Sequence, residues 1–208
     1  MPNIYTLDIE TETSGGFGLD PINGAVRSVS FWSEHETVVF DSTRERPMLI
    51  DTAAYLANID READVIVTWN GSVFDLPFLS TRAKALQVDA LEELLQLTPS
   101  NQRPVKYEPL PGHAGGYLAR IGSADHADIQ WAFKEHADAA GIKHSLKPVG
   151  TSFGIDAISV DTENLHLLSR AELIAYNMSD TYVTFELAQR LESLTPWLDS
   201  IMLDAMTV

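Results

Sequence analysis

Four short words along the chain carry the residues whose types and spacing can do chemistry: LDIETE (7–12), WNGSVFD (69–75), HSLKPVG (144–150) and YNMSD (176–180). Four of their carboxylates, Asp8, Glu10, Asp75 and Asp180, stand where a fold could gather them around a pair of metal ions. In Ile4-Tyr5-Thr6-Leu7-Asp8-Ile9-Glu10 the apolar residues predict a buried strand, and side chains at i and i+2 of a strand leave the same face. Asp8 and Glu10 therefore point together. Two acids side by side in an apolar strand repel each other and resist desolvation, and divalent cations compensate both costs best. Metal binding is the first expectation.

The other two acids sit on helices. Asp75 falls in the first turn of a helix opened by Phe74, directly after the strand that ends near Trp69-Asn70-Gly71, where catalytic groups of open α/β sheets gather. An acid in a first turn is also favoured by the helix dipole alone, so Asp75 gains meaning only beside the other acids. Tyr176 and Asp180 are i and i+4 on the last helix, hence on one face and one turn apart. A phenol and a carboxylate so placed can flank one site.

The elements that must position these residues follow from periodicity. After the first strand comes a glycine-rich turn at residues 13–18, then strands at 25–33 and 37–41 joined by a hairpin at Ser33-Glu34-His35-Glu36. Apolar spacing predicts a helix over 48–59 and a buried strand over 65–69. Helices are expected at 74–86 and, shorter, at 91–97. Residues 101–122, rich in proline and glycine, read as a loop or lid. A strand is expected at 127–133 and a short helix at 145–153, interrupted near Pro148 and Gly150. The last element runs from Ser169 to Leu194, with Ser169 as N-cap and Glu172 at the capping-box position. A three-strand meander followed by alternating strands and helices predicts an α/β fold with a mixed β-sheet flanked by helices.

Composition bounds the rest. A chain of 208 residues with 45% hydrophobic and 21% charged residues suits one globular domain over 1–208 and is not that of a disordered chain. With no cysteine, disulfides and thiolate metal sites are excluded. No basic segment followed by an apolar run opens the chain, and no run reaches the roughly 18 apolar residues of a membrane helix, so a soluble cytoplasmic protein with no membrane partner is expected. The formal charge of -16 opposes loose adsorption to a polyanion, so any contact with nucleic acid must be local.

The order LDIETE, NGSVFDLPFL, YNMSD resembles the three exonuclease motifs of the DEDD superfamily of 3′–5′ exonucleases, in its tyrosine-bearing branch. NGSVFDLPFLSTRA is similar to the proofreading domains of family B DNA polymerases and their stand-alone bacterial or phage relatives. The resemblance spans residues 4–191 and implies a ribonuclease H-like fold. It implies that Asp8, Glu10 and Asp180 are metal ligands, that Asp75 holds a second ion directly or through water, and that Tyr176 orients the attacking water. The sibling branch carries a histidine five residues before the last acid, where this chain has Ala175.

The implied reaction hydrolyses phosphodiester bonds and releases mononucleotides from the 3′ end of single-stranded DNA or frayed ends. It needs hydroxide near neutral pH, in-line attack and relief of charge on the leaving 3′ oxygen, which two cations about 3.5–4 Å apart supply. Oxygen ligands favour Mg²⁺ or Mn²⁺ over zinc. Thr11, Phe17 and Asn70 are candidates to hold the terminal nucleotide, with Phe17 or Phe74 offering a stacking face or simply filling the core. Lys147 reads either as a phosphate contact or as a surface lysine. Asp128 reads as a second-rank acid near the site or as a strand-end residue with local hydrogen bonds. No polymerase-like segment is recognised, which suggests action alone or with a separate polymerase or repair complex. RNA as substrate, and a non-catalytic nucleic-acid-binding module, are the alternatives.

Overall fold

The computed structural model describes residues 3–59, 64–100 and 108–191. The first strand, β1 (Asn3–Thr11), lies inside the sheet, and its alternation sorts side chains between two cores. Leu7 and Ile9 enter one apolar cluster, while Thr6, Asp8 and Glu10 project from the opposite face. β1 pairs antiparallel with β2 (Val26–Ser33), and β2 with β3 (Thr37–Asp41), which is the expected meander. The Ser33 hydroxyl caps its hairpin by accepting the backbone N–H groups of His35 and Glu36.

On its other side β1 pairs parallel with β4 (Asp64–Thr68), and β4 pairs parallel with β7 (Ala124–Asp128). β6 (Gly116–Ile121) and β5 (Leu95–Ser100) complete the seven-stranded sheet in the order β3-β2-β1-β4-β7-β6-β5. Buried on both faces, β4 reads as the unbroken run Val65-Ile66-Val67. Ile66 joins the cluster that includes residues of α1 (Glu45–Ile59), α2 (Asp75–Ala85) and α3 (Asp89–Leu94). Val65 and Val67 join the one formed with α4 (Lys134–Ala140), α5 (Leu146–Ser152) and α6 (Arg170–Arg190). The sheet is mixed and flanked by helices, as the element order predicts.

Four local expectations are corrected. The helix expected at 91–97 stops at Leu94, and Leu95 starts β5. The stretch 101–122 contains strand β6, while residues 101–107 lie outside the described residues. Pro99 is accommodated because β5 is the terminal strand of the sheet, where a missing N–H costs least. The strand expected at 127–133 is shifted to 124–128 and gives way to a 3-10 turn at Gln130–Phe133, started where the Asp128 carboxylate accepts the N–H of Gln130.

Helix α5 is not interrupted. Pro148 is its third residue, where the backbone N–H has no helical partner to lose. A Cβ at Gly150 would meet Val183 Cγ1 at 2.6 Å, so glycine allows α5 to lie close against α6. The capping box of α6 forms as expected, with the Ser169 hydroxyl accepting from Glu172 N and the Glu172 carboxylate from Ser169 N. Residues 192–194 of that expected helix lie outside the described residues. No helix among the described residues is long and apolar enough to cross a membrane.

Candidate active site

β1, β4 and β7 run parallel, so their carboxyl ends open on one edge of the sheet. Asp8 and Glu10 stand near the end of β1, on the face covered by α6. The β1–β2 register slips at Glu10/Thr11, a bulge-type irregularity of the kind that re-aims side chains at sites. From α6, Asp180 completes a group in which one carboxylate oxygen from each of Asp8, Glu10 and Asp180 lies within 4.8 Å of the others. Three acids separated by up to 172 positions in sequence are thus brought to one point by a strand pleat and a helix face.

Asp75, the first residue of α2, is buried beside them. Its Oδ1 accepts the backbone N–H of Ile9 at 3.0 Å, which ties the start of α2 to β1 between the two strand acids. The turn leading into α2 is built around Asp128 at the end of β7. That carboxylate accepts Asn70 N at 2.9 Å, Ser72 N at 3.1 Å, the Ser72 hydroxyl and Gln130 N at 3.2 Å. Asp128 therefore stands at a strand end and holds the turn at residues 70–72, close enough to Asp75 for its charge to help raise that carboxyl. Within the turn Asn70 has φ 67, and a Cβ at Gly71 would lie 2.4 Å from Thr68 Oγ1, so only glycine allows this approach.

Burial and mutual repulsion mark the electrostatics. The Asp8 carboxyl is held well above its ordinary range, first by burial and then by the charges of Asp75, Glu10 and Asp180. Glu10 and Asp180 are raised by burial as well. Asp75 is pushed up to about 7 by burial, against the opposing pull of the Ile9 N–H. Lys147, on α5, offsets part of this charge: its Nζ is 2.9 Å from both carboxylate oxygens of Asp180 and 3.8 Å from the centre of the Tyr176 ring. Lys147 thus stands among the candidate site's side chains rather than out in solvent. The Tyr176 phenol is raised by burial and then by the charges of Asp180, Glu10 and Asp8, so it stays protonated at neutral pH.

The remaining candidates are placed less uniformly. The Thr11 hydroxyl donates to Gly18 O at 2.7 Å and so pins the glycine-rich loop. Phe17 is 45% exposed in that loop. Asn70 and Phe74 line a cleft of about 510 Å³ together with Leu19, Gln130, Trp131 and His144. Trp131 and His144 meet edge-on at 5.4 Å, and neither was distinguishable in sequence from a core aromatic and a solvated histidine. Sequence reasoning also passed over Asn177, which is fully buried and donates to Asp8 Oδ2 at 2.6 Å. The only available signal was an amide at a position whose helix neighbours face the sheet.

The donor set fits hard divalent cations. Asp180 is buried among carboxylates, and the Lys147 ammonium, 2.9 Å from both of its oxygens, is the cation that stands against them. Carboxylate oxygens gathered in this way match the needs of Mg²⁺ or Mn²⁺.

Comparison with known proteins points the same way. The family model "DNA polymerase family B, exonuclease domain" matches residues 26–109. The likeness is to a polymerase exonuclease domain. The matched segment holds Asn70, Phe74 and Asp75 and lies between the words that carry Asp8 and Asp180. Among solved structures, the family B DNA polymerase of the hyperthermophilic archaeon Pyrobaculum calidifontis superposes with a TM-score of 0.66 at 22% identity, over 92% of this chain. This chain spans 24% of that polymerase's length. The shared architecture is the ribonuclease H-like fold. No curated protein matches the chain.

Proposed function

We propose that the protein is a metal-dependent 3′–5′ exonuclease of the tyrosine-bearing DEDD branch that removes mononucleotides from the 3′ end of single-stranded DNA. The observation that carries this reading is the meeting of Asp8, Glu10 and Asp180, one carboxylate oxygen from each within 4.8 Å of the others. Asp8, Glu10, Asp75 and Asp180 would hold two Mg²⁺ or Mn²⁺ ions. Bound there, the ions supply an activated water near neutral pH and neutralise charge on the leaving oxygen.

The chain's own residues do the rest. Tyr176, protonated and one turn from Asp180, is a hydrogen-bond donor for the attacking water or the scissile phosphate, not a base. Lys147 is near enough to Asp180 to exchange that contact for a substrate phosphate. The cleft lined by Asn70, Phe74 and Trp131 offers aromatic faces to unstacked bases, which favours single strands and frayed ends over a closed duplex. The likeness to a polymerase exonuclease domain makes nucleic acid the expected substrate and a polymerase or repair complex the expected setting.

Asp8→Asn and Asp180→Asn test the site. Each should keep the fold, lose turnover, and lose most of the rise in melting temperature that Mn²⁺ gives the native protein by preferential binding to the folded state. Full activity in either variant, or a native protein whose melting ignores Mn²⁺, contradicts the reading.

A further inference from the structure

The face of α6 that meets the sheet is polar where it passes over the site. Thr6, Ser28, Ser30, Asn177 and Thr181 are all fully buried there. Two of the bonds along this seam end on helix carbonyls: Thr6 Oγ1 donates to Thr181 O at 2.9 Å and Ser30 Oγ to Asn177 O at 3.1 Å. They dock the helix whatever side chain stands at 177. The Asn177 side chain is therefore available for another task.

Its amide lies between two groups. Asn177 Nδ2 donates to Asp8 Oδ2 at 2.6 Å, and Asn177 Oδ1 accepts from the Ser28 hydroxyl at 3.0 Å. With a cation bound Asp8 is an ionised carboxylate, which only accepts and so faces the NH₂ edge, leaving the oxygen edge for the serine. Ser28 sits opposite Glu10 in the β1–β2 register, so the strand paired with the one that carries the acids supplies the neighbour that orients their amide partner. Among the described residues, Asp8 receives this one hydrogen bond, on Oδ2, and none on Oδ1.

Resting on the reading of Asp8 as a cation ligand, we infer that Asn177 is a positioning residue for it. The Ser28–Asn177 pair fixes the Asp8 carboxylate with one oxygen committed to the amide and the other directed to the cations. Without the pair, Asp8 keeps its charge but loses its fixed rotamer. Hydrogen-bond partners that orient metal ligands typically affect metal affinity or activity by about 10- to 100-fold when removed.

The test is Mn²⁺ titration of the full chain, read by calorimetric binding and by the melting-temperature shift, in the native protein, Ser28→Ala, and the double variant Ser28→Ala/Asn177→Leu. The double variant removes both members of the buried Ser28–Asn177 pair, so that neither is orphaned and the group left without its partner is Asp8 Oδ2, the ligand under test. Ser28→Ala alone unpins the amide and secures the test should the double variant not fold.

Half-saturating Mn²⁺ should rise by about 10- to 100-fold in the double variant and by less in Ser28→Ala. A purely structural seam would instead lower the melting temperature of the metal-free protein and leave half-saturation where it was, which overturns the inference. A native protein that takes up no Mn²⁺ removes the cation reading itself, and the inference falls with it.

Discussion

Tyr176 and Asp180 share one face of α6, yet their environments assign them different duties. Asp180 offers buried carboxylate oxygens beside those of Asp8 and Glu10, whereas Tyr176 offers a proton that its surroundings will not release near neutral pH. Tyr176→Phe should bind Mn²⁺ and single-stranded DNA nearly as the native protein does and hydrolyse more slowly, by about 10- to 1000-fold, as fits loss of one positioning interaction. Equal turnover at saturating substrate would make the ring, not the hydroxyl, the relevant part. Asp75 makes a second residue-level prediction. Its folded pKa of about 7 exceeds the ordinary value of 3.8, so between these pH values the folded state holds a proton the unfolded chain has released. Its contribution to the stability of the metal-free protein is therefore lost as pH rises across that window. Asp75→Asn should gain stability relative to the native protein from about pH 4 to about pH 7 and then level off, as followed by urea unfolding in chelator. A stability difference that does not change with pH would contradict the buried, repelled state of this acid.

Strands and helices were legible in proportion to how local their causes are. β1 follows from alternation, and α6 from a capping box written in the sequence as Ser169 and Glu172. Ser169→Ala should lower the stability by about 1 kcal/mol, seen as an earlier urea midpoint with the slope unchanged. No change would mean the cap is dispensable in the folded chain. The hairpin of β5 and β6 was not legible because Leu91, Leu94, Leu95 and Leu97 keep a spacing that suits a helix, and the break at Leu95 comes from pairing with Ile121 across the sheet. The composition of 101–122 suggested a loop for a related reason: proline and glycine are tolerated in an edge hairpin without marking it as one. Asp128 shows the limit for side chains, since its role depends on a turn contributed by residues 70–72, which are distant in sequence and adjacent only after folding.

For the whole molecule, the meander and the mixed character of the sheet could be read from element order, but the placing of β7 beside β4 could not. Parallel pairing across a crossover leaves no mark in local periodicity. Charge behaves similarly. A formal value of -16 speaks against general affinity for nucleic acid, yet part of it is gathered in Asp8, Glu10, Asp75 and Asp180, where cations would turn it into a binding site for a phosphate. The convergence of Asp8, Glu10 and Asp180 was foreseeable from their order and types, whereas the buried amide between Asp8 and Ser28 emerges only when α6 is laid on the sheet. The most direct measurement of the central claim is cleavage of a 5′-labelled single-stranded DNA, beside its RNA counterpart, in Mg²⁺, Mn²⁺ or chelator. The account predicts a ladder of products shortening one nucleotide at a time from the 3′ end of the DNA, in either metal and not in chelator. An intact label in both metals, or a ladder that persists in chelator, would contradict it.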